Sequence, residues 1–353
     1  MRKKKGGIIM AFARKNAFGK MIKNLGRFTG LLAIIVVISL AGFSQASGKT
    51  TLRLSNGLAP GTFQNAKVLP SFAKEVQEGT DGRIIVELYP AGQLYRHIET
   101  ADALHRGGVE MGFLSVNHWA GYNPVFGWND YPFLVTDLDH FRQNEDKAFT
   151  IVDDLLEKIG AKLLAFVPYS STCIVSKTLI ERPEDVKGLR IRGISDPFFD
   201  AVKAWGGVPT AMRASEVYDA LAKGTLTGAM TGWESVEKRK FYEAAGYVAG
   251  TTSPSIWGIF VNLNTWKGLP NDVRDIIEKA AKNASEMGFK GQRDIDEGSR
   301  KFLEKHGMTV KVFTPEEKVI WTKATKPAYD KYVERCTGKG YGGIANKVLE
   351  MFE

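Results

Sequence analysis

PNDVRDIIEKAAKNASEMGFKGQRDIDEGSRKFLEKHG, residues 270–307, is the stretch on which the fold turns. Val273, Ile276, Ile277, Ala280, Ala284 and Met287 recur at the three-and-four spacing of one helical face, and no proline follows Pro270 before His306-Gly307. About 35 residues of unbroken helical character far exceeds the three or four turns usual in a globular protein. The stretch predicts a single helix, bent near Gly288 or Gly291, that runs across two domains.

Upstream of it the chain alternates short apolar runs with amphipathic ones. Thr51-Leu-Arg-Leu-Ser55 has strand alternation, and Val68, Leu69, Phe72 and Val76 then recur at helical spacing. Arg83-Ile-Ile-Val-Glu-Leu-Tyr89 is a β-rich run between the turn at Asp81-Gly82 and Pro90-Ala-Gly92. A helix through Ile98, Ala101 and Leu104 precedes a strand over 109–114. The rhythm returns with a helix near 148–159, strands over 161–167 and 189–191, and a helix over 198–205. Ser215 suits an N-cap before a helix over 216–223, and Gly224 suits its stop. This βαβ alternation predicts an α/β fold with helices on the faces of a sheet. With no Pro- or Ser-rich linker anywhere, the chain is expected to cross between its domains more than once through ordered segments.

The first 46 residues read as an export leader. They carry nine basic residues and no acidic one, then the apolar run Leu31-Leu-Ala-Ile-Ile-Val-Val-Ile38, then Ser44-Gln45-Ala46 with small residues where a signal peptidase cuts. A retained anchor is the alternative, but a spanning helix needs about 20 apolar residues. No cysteine precedes Cys173, so no lipid attachment at an N-terminal cysteine is expected. Removing the nine leader charges from 48 Lys+Arg leaves 39 against 39 Asp+Glu, so the high basicity belongs to the leader. Nucleic acid is therefore not an expected partner. The 307 residues after position 46 suffice for two cores. Whether Cys173 and Cys336 pair stays open.

Signatures of catalysis are missing. There is no Gly-x-Ser-x-Gly elbow, no phosphate-binding Gly-x-x-x-x-Gly-Lys-Ser/Thr loop and no His-Glu-x-x-His. The five histidines show no ligand spacing and neither cysteine sits in a Cys-x-x-Cys, so no metal and no cofactor are expected. Gly338-Lys-Gly-Tyr-Gly-Gly343 reads as a loop before the last helix.

What does stand out is an ordered set of short motifs. Gly82-Arg-Ile, Tyr89-Pro-Ala-Gly-Gln-Leu94 and Tyr131-Pro-Phe-Leu134 come first. Pro183-Glu-Asp-Val-Lys-Gly-Leu-Arg-Ile-Arg-Gly193 follows, then Gly206-Gly-Val-Pro-Thr-Ala-Met212, Ser215-Glu-Val-Tyr-Asp-Ala-Leu-Ala-Lys-Gly224, Thr227-Gly228, Asn262 and Trp266-x-x-Leu269-Pro270. In this order they closely resemble the periplasmic substrate-binding subunit of tripartite ATP-independent (TRAP) transporters, a family that includes binders of C4-dicarboxylates and sialic acid. The resemblance covers nearly all of the chain after the leader. It implies a two-domain periplasmic-binding-protein-like α/β fold with hinge strands and a long helix spanning both domains. Domain I would take residues 47–169 plus about 258–297, and domain II residues 170–257 plus about 298–353. The ligand would lie in the cleft between them, and the closed form would dock on a membrane permease pair.

Arg192 matches the position of the family's carboxylate-binding arginine, and a guanidinium fork meets a carboxylate with two parallel hydrogen bonds that lysine cannot reproduce. Arg190, two residues earlier, is expected to turn away from that site. The second arginine of many relatives falls here near Thr172, so no two-arginine clamp is expected. The family's polar ligand contact falls at Thr231, beside Trp233. With Ser115, Trp119 and Trp257 these complete the candidate ligand-binding set, whose aromatics point to a roomier, more apolar pocket than a bare dicarboxylate needs. The expected function is capture of a small organic acid in the periplasm for a TRAP-type secondary transporter. A binding subunit of an ATP-driven importer and a periplasmic enzyme on a similar scaffold are the alternatives. The ligand's identity, monomer or dimer, and the coupling ion stay open.

Overall fold

The computed structural model describes residues 49–352; the expected leader, residues 1–46, lies outside them. The first strand, β1 (Thr50–Asn56), buries Leu52 and Leu54 on alternate positions. It pairs in parallel with β2 (Ile84–Tyr89) on one side and β3 (Met111–Ser115) on the other. Parallel neighbours need crossovers, which α1 (Leu69–Gly79) and the short α2 (Thr100–His105) supply. After α3 (Leu138–Glu157) come β4 (Ala161–Ser176), β5 (Arg190–Gly193), α4 (Asp196–Ala204), β6 (Val208–Ala211), α5 (Val217–Ala222), β7 (Gly228–Gly232) and α6 (Trp233–Lys238). Then follow β8 (Tyr247–Asn262), α7 (Leu263–Gly268), α8 (Asn271–Lys305), β9 (Thr309–Lys311), α9 (Pro315–Thr337) and α10 (Gly342–Phe352).

Among the described residues the strands form one sheet ordered β2-β1-β3-β8-β4-β7-β5-β6, with β9 beside β8. β4 and β8, 16 residues each, run antiparallel along their whole length and belong to both halves. Their one end carries β3, their other end β7 and β9. At the crossing the register slips between Tyr169 and Thr172. The strands there bury Ser170, Ser171, Thr172, Thr252 and Ser253 in place of apolar side chains. This is the two-domain periplasmic-binding-protein-like α/β fold with hinge strands.

Alternation along the two long strands divides the core. Trp257, Ile259 and Val261 face a cluster with β1, β3 and the first half of α8, while Ile256 and Phe260 face a larger cluster on the opposite side. A third cluster, with Val175, Ala229, Trp233 and Leu303, fills the other half of the molecule. Helix α8 therefore begins on one core with Val273 and Ile277 and ends on another with Leu303. Its 35 residues reach about 52 Å at 1.5 Å per residue. The helix after α8 ties the halves from the far side. Trp205 Nε1 donates to Thr325 Oγ1 at 3.0 Å, Tyr329 OH to the Pro132 carbonyl at 2.7 Å, and Arg335 pairs with Asp200 and Tyr131. The last helix packs Val348 and Phe352 beside Trp128 and Phe141.

Helix α8 runs as one helix through Gly288 and Gly291, as expected; a Cβ at Gly288 would meet Val167 at 2.8 Å, and one at Gly291 would meet Phe63 at 2.3 Å, because other elements press against them. Other expectations need correction. Helix α3 starts ten residues before the expected helix, since Asp137 Oδ1 accepts the His140 N–H at 2.9 Å and caps it there. β4 continues past residue 167 to Ser176, through the polar crossing. Ser215 lies inside a 3-10 turn, Ala214–Glu216, and does not cap α5, whereas Gly224, at φ +70°, does end it. Cys173 and Cys336 are both free, buried in different clusters.

Gly291→Leu should destabilise the protein by about 1–3 kcal/mol through overpacking on Phe63. Gly298→Ala, on the same helix with open space around it, should stabilise by about 0.5–1 kcal/mol. Urea unfolding of both variants checks the pair.

Candidate functional site

A cavity of about 430 Å3 opens between the two halves of the sheet, over the crossing of β4 and β8. Its cationic side is built by β5. Pairing of Arg192 with Thr210 on β6 and Ala229 on β7 puts that arginine in the middle of three strands, 5% exposed. Its Nε donates to the Met212 carbonyl at 3.0 Å and its Nη1 to the Met230 carbonyl at 3.2 Å. Two of five guanidinium N–H groups are thus used, which fixes the plane and leaves donors for the cavity. No carboxylate lies close enough to pair with it among the described residues. Burial, and then the charge of Arg239, pull the guanidinium down to about 10. It stays charged at neutral pH, desolvated and without a counter-ion, as an anion site requires.

Arg239, Lys238 and Arg213 line the same side from the segments after β6 and β7. On the facing side the lining cation is Arg96, whose guanidinium is already paired with Glu99 towards solvent. His97 follows β2, His118 follows β3, and Trp257 stands on β8 opposite Ser115 of β3. The indole is stacked round by Phe113 at 5.3 Å and Tyr169 at 5.2 Å and donates Nε1–H to Ser255 Oγ at 2.9 Å. Such packing presents a fixed apolar plate to the cavity.

Two carboxyls complete the lining. Glu234, at the start of α6, is 2% exposed; its Oε1 accepts the Phe63 N–H at 3.2 Å across the two halves, while Oε2 is sealed without a partner. Burial lifts this carboxyl to about 7 against the opposing Phe63 hydrogen bond. Asp130 is lifted by burial to about 6, although Ser195 Oγ donates to it at 2.8 Å and Asn129 Nδ2 at 3.2 Å. Asn129 also donates to Ser115 Oγ at 3.0 Å, so Ser115 belongs to a hydrogen-bonded chain reaching Ser195 in the other half.

Of the residues named from sequence, Arg192, Thr231, Thr172, Ser115 and Trp257 meet in this cavity. Trp119 and Trp233 do not. Trp119 lies beyond the opposite face of the sheet, 5.6 Å from the Phe260 ring, because Phe260 and Trp257 point to different sides of β8. Trp233 turns into the core under α6 and borders a groove behind the crossing, beside Ser171 and Asp296. Arg190 needs a different account from the one expected. Residues two apart share a face of a strand; what keeps Arg190 out is its place at the outer end of β5, where its guanidinium donates to the carbonyls of Thr225 at 2.7 Å and Gly224 at 2.9 Å. Sequence reading missed His97, His118, Glu234 and Arg239. Glu234 and Arg239 lie a few residues after Thr231, so proximity to a named position was their one available signal; nothing local marks the histidines.

Comparison with known proteins points to one family. The family model described as DctP, bacterial extracellular solute-binding protein, family 7, matches residues 54–335. The C4-dicarboxylate-binding periplasmic protein DctP of Rhodobacter capsulatus is 27% identical over 334 residues, 92% of this chain and 98% of that one. A TRAP periplasmic solute-binding protein of Haemophilus influenzae, solved with bound L-gulonate, is 25% identical with a TM-score of 0.77 over 86% of this chain and 99% of that one. One from Ochrobactrum anthropi, whose C-terminus occupies its ligand pocket, is 25% identical with a TM-score of 0.79 over 86% and 96%.

Because the folded protein holds the Glu234 proton more tightly than the unfolded chain, ionisation of this group lowers stability as pH rises from about 4.5 to 7. Glu234→Gln does not titrate, so its stability relative to wild type should rise between pH 5 and pH 8. Chemical unfolding of both proteins at the two pH values measures the difference; a constant difference would contradict the assignment.

Proposed function

This chain belongs to the DctP family of bacterial extracellular solute-binding proteins, and from that premise we propose that it captures a small organic acid in the cleft and delivers it to the permease of a TRAP-type secondary transporter. The observation that carries this reading is Arg192: a buried guanidinium, oriented by two backbone carbonyls, facing a cavity whose lining carboxyls, Glu234 and Asp130, are engaged by other groups and do not pair with it. A ligand carboxylate would supply the missing charge through two parallel hydrogen bonds. Thr231, Thr172 and Ser115 offer hydroxyls around it, and Trp257 offers an apolar face. Arg239 and Arg213 add positive potential that favours entry of anions.

The proposal includes motion. One lobe would hold residues 47–169 and about 258–297, the other residues 170–257 and about 298–353, bending at the slipped register of β4 and β8. Residues 1–46 would serve as the export leader, and the mass of the mature protein should then place its first residue near Ser47.

Arg192→Ala should weaken binding of a matched acid by about 2–5 kcal/mol, or roughly 30-fold to several thousandfold. Arg192→Lys keeps the charge but loses the fork and should also bind markedly less well. Arg190→Ala, whose side chain serves a loop outside the cavity, should bind like wild type. Calorimetric titration of the three variants decides it; undiminished affinity in folded Arg192→Ala would refute the site. Closure has its own check: small-angle scattering should show a smaller radius of gyration with saturating ligand than without.

A further inference from the structure

His97 and His118 stand together in the cleft wall that faces Arg192, and no role has yet been given to either. Their rings meet edge to face with centroids 4.3 Å apart, and His97 lies 4.9 Å from the Trp257 ring. Gly57 makes the room: a Cβ there would sit 2.3 Å from His97 Nδ1. In both rings Nδ1 is sealed from solvent and has no hydrogen-bond partner, while both residues line the cavity. A proton on Nδ1 would have no acceptor, so each ring carries its proton on Nε2, the nitrogen that keeps access to the cavity. Burial holds His118 down at about 4. His97 is held well below the ordinary histidine range by burial, then by His118, Arg239 and Arg192. The pair is therefore uncharged at neutral pH, and it presents two N–H donors beside an indole plate.

The cleft is thus polarised. One wall carries Arg192, Arg213, Lys238 and Arg239; the other carries neutral donors, an aromatic surface and Arg96, whose charge is answered by Glu99. A carboxylate at the first wall gains a counter-charge. A second carboxylate at the imidazole wall would have to compete with Glu99 for Arg96, and would meet no other full positive charge unless a histidine took up a proton, which its burial opposes. A carbonyl or amide oxygen there would accept Nε2–H without any change of charge.

We propose that His97 and His118 are the specificity-determining residues of the cleft, receiving the uncharged polar end of the ligand and selecting monocarboxylates with a neutral carbonyl-type group over dicarboxylates of the same length. This rests on Arg192 holding the carboxylate end.

The test uses matched pairs in which one carboxylate is replaced by a primary amide: succinamate with succinate, glutaramate with glutarate, and 4-carbamoylbenzoate with terephthalate. Calorimetric titration of the mature protein at pH 7.5 should show the amide binding about 10-fold more tightly in at least one pair. In that pair His97→Gln and His118→Gln, which keep a polar side chain, should each lower amide affinity by about 3- to 10-fold, the value of one hydrogen bond. Both should narrow the preference while leaving the thermal unfolding curve cooperative. Any diacid that binds should do so with proton uptake, read from titrations in buffers of different ionisation enthalpy. Equal or tighter binding of the diacids without proton uptake overturns the inference, as does no binding by any pair, or a preference for amides that both glutamine variants retain. If diacids bind in that way and Arg192→Ala abolishes their binding, the carboxylate reading of Arg192 survives and only the histidine assignment falls. If Arg192→Ala leaves all affinities unchanged, the carboxylate reading itself falls.

Discussion

Asp296 stands where the long helix crosses the slipped register of β4. Its carboxylate accepts Ser170 Oγ at 2.9 Å, the Ser171 N–H at 2.9 Å and Gln292 Nε2 at 3.0 Å. Ser170 Oγ in turn accepts the N–H of Glu234, which opens α6, and Gln292 accepts from Gln64, whose amide also reaches the Pro168 carbonyl. A strand that slips register leaves backbone groups without ladder partners, and each such buried group costs about 1–3 kcal/mol if unmet. Asp296 of α8 meets the Ser171 N–H, and Gln64, held by Gln292 of α8, meets the Pro168 carbonyl. Burial lifts the Asp296 carboxyl to about 6, but four hydrogen bonds oppose that rise, so the charge is tolerated at neutral pH. The position of the cavity follows from this crossing, since β5 and β7 on one side and β3 on the other are placed by the strands that it pins.

The same geometry explains how a cation can be buried without a protein counter-charge. Arg192 is fixed by carbonyls of the two segments beside it, so its orientation costs nothing further when an anion arrives. The carboxyls that line the cavity do not answer it. Glu234 is turned toward the Phe63 N–H of the opposite half, and Asp130 is engaged by Ser195 and Asn129. The Glu234–Phe63 and Asp130–Ser195 contacts join parts of the chain far apart in sequence, so the groups that shape the cavity's field also hold its walls together. Low local polarity then makes the remaining charge count for more than it would at a surface.

Much of this was legible in the chain itself. The apolar face from Val273 to Ala284 and the absence of proline after Pro270 foretold α8, because helical periodicity is a local property. The strand signals at 83–89 and 109–114 succeeded for the same reason, and the order of short motifs singled out Arg192, which does line the cavity. Where reading failed, the cause was non-local. Nothing local showed that Gly288 and Gly291 stand against Val167 and Phe63, which arrive from elsewhere in the fold. Pro168 and the serines after it concealed the second half of β4, whose strand geometry depends on pairing with β8 and on Asp296.

The α/β class, the long helix and the choice of Arg192 rest on residue types and on spacings of two to four, which any stretch of chain carries with it. The packing of the whole sheet settled which aromatic faces the cavity. Trp119, Trp233 and Trp257 have equal claims as residues, and the side of the sheet on which each lies separates them. It also decided that His97 and His118 meet, and that Glu234 is drawn away from Arg192. Those facts arise where two halves of one sheet close around strands they share, and burial there sets both the charges and the company that each side chain keeps.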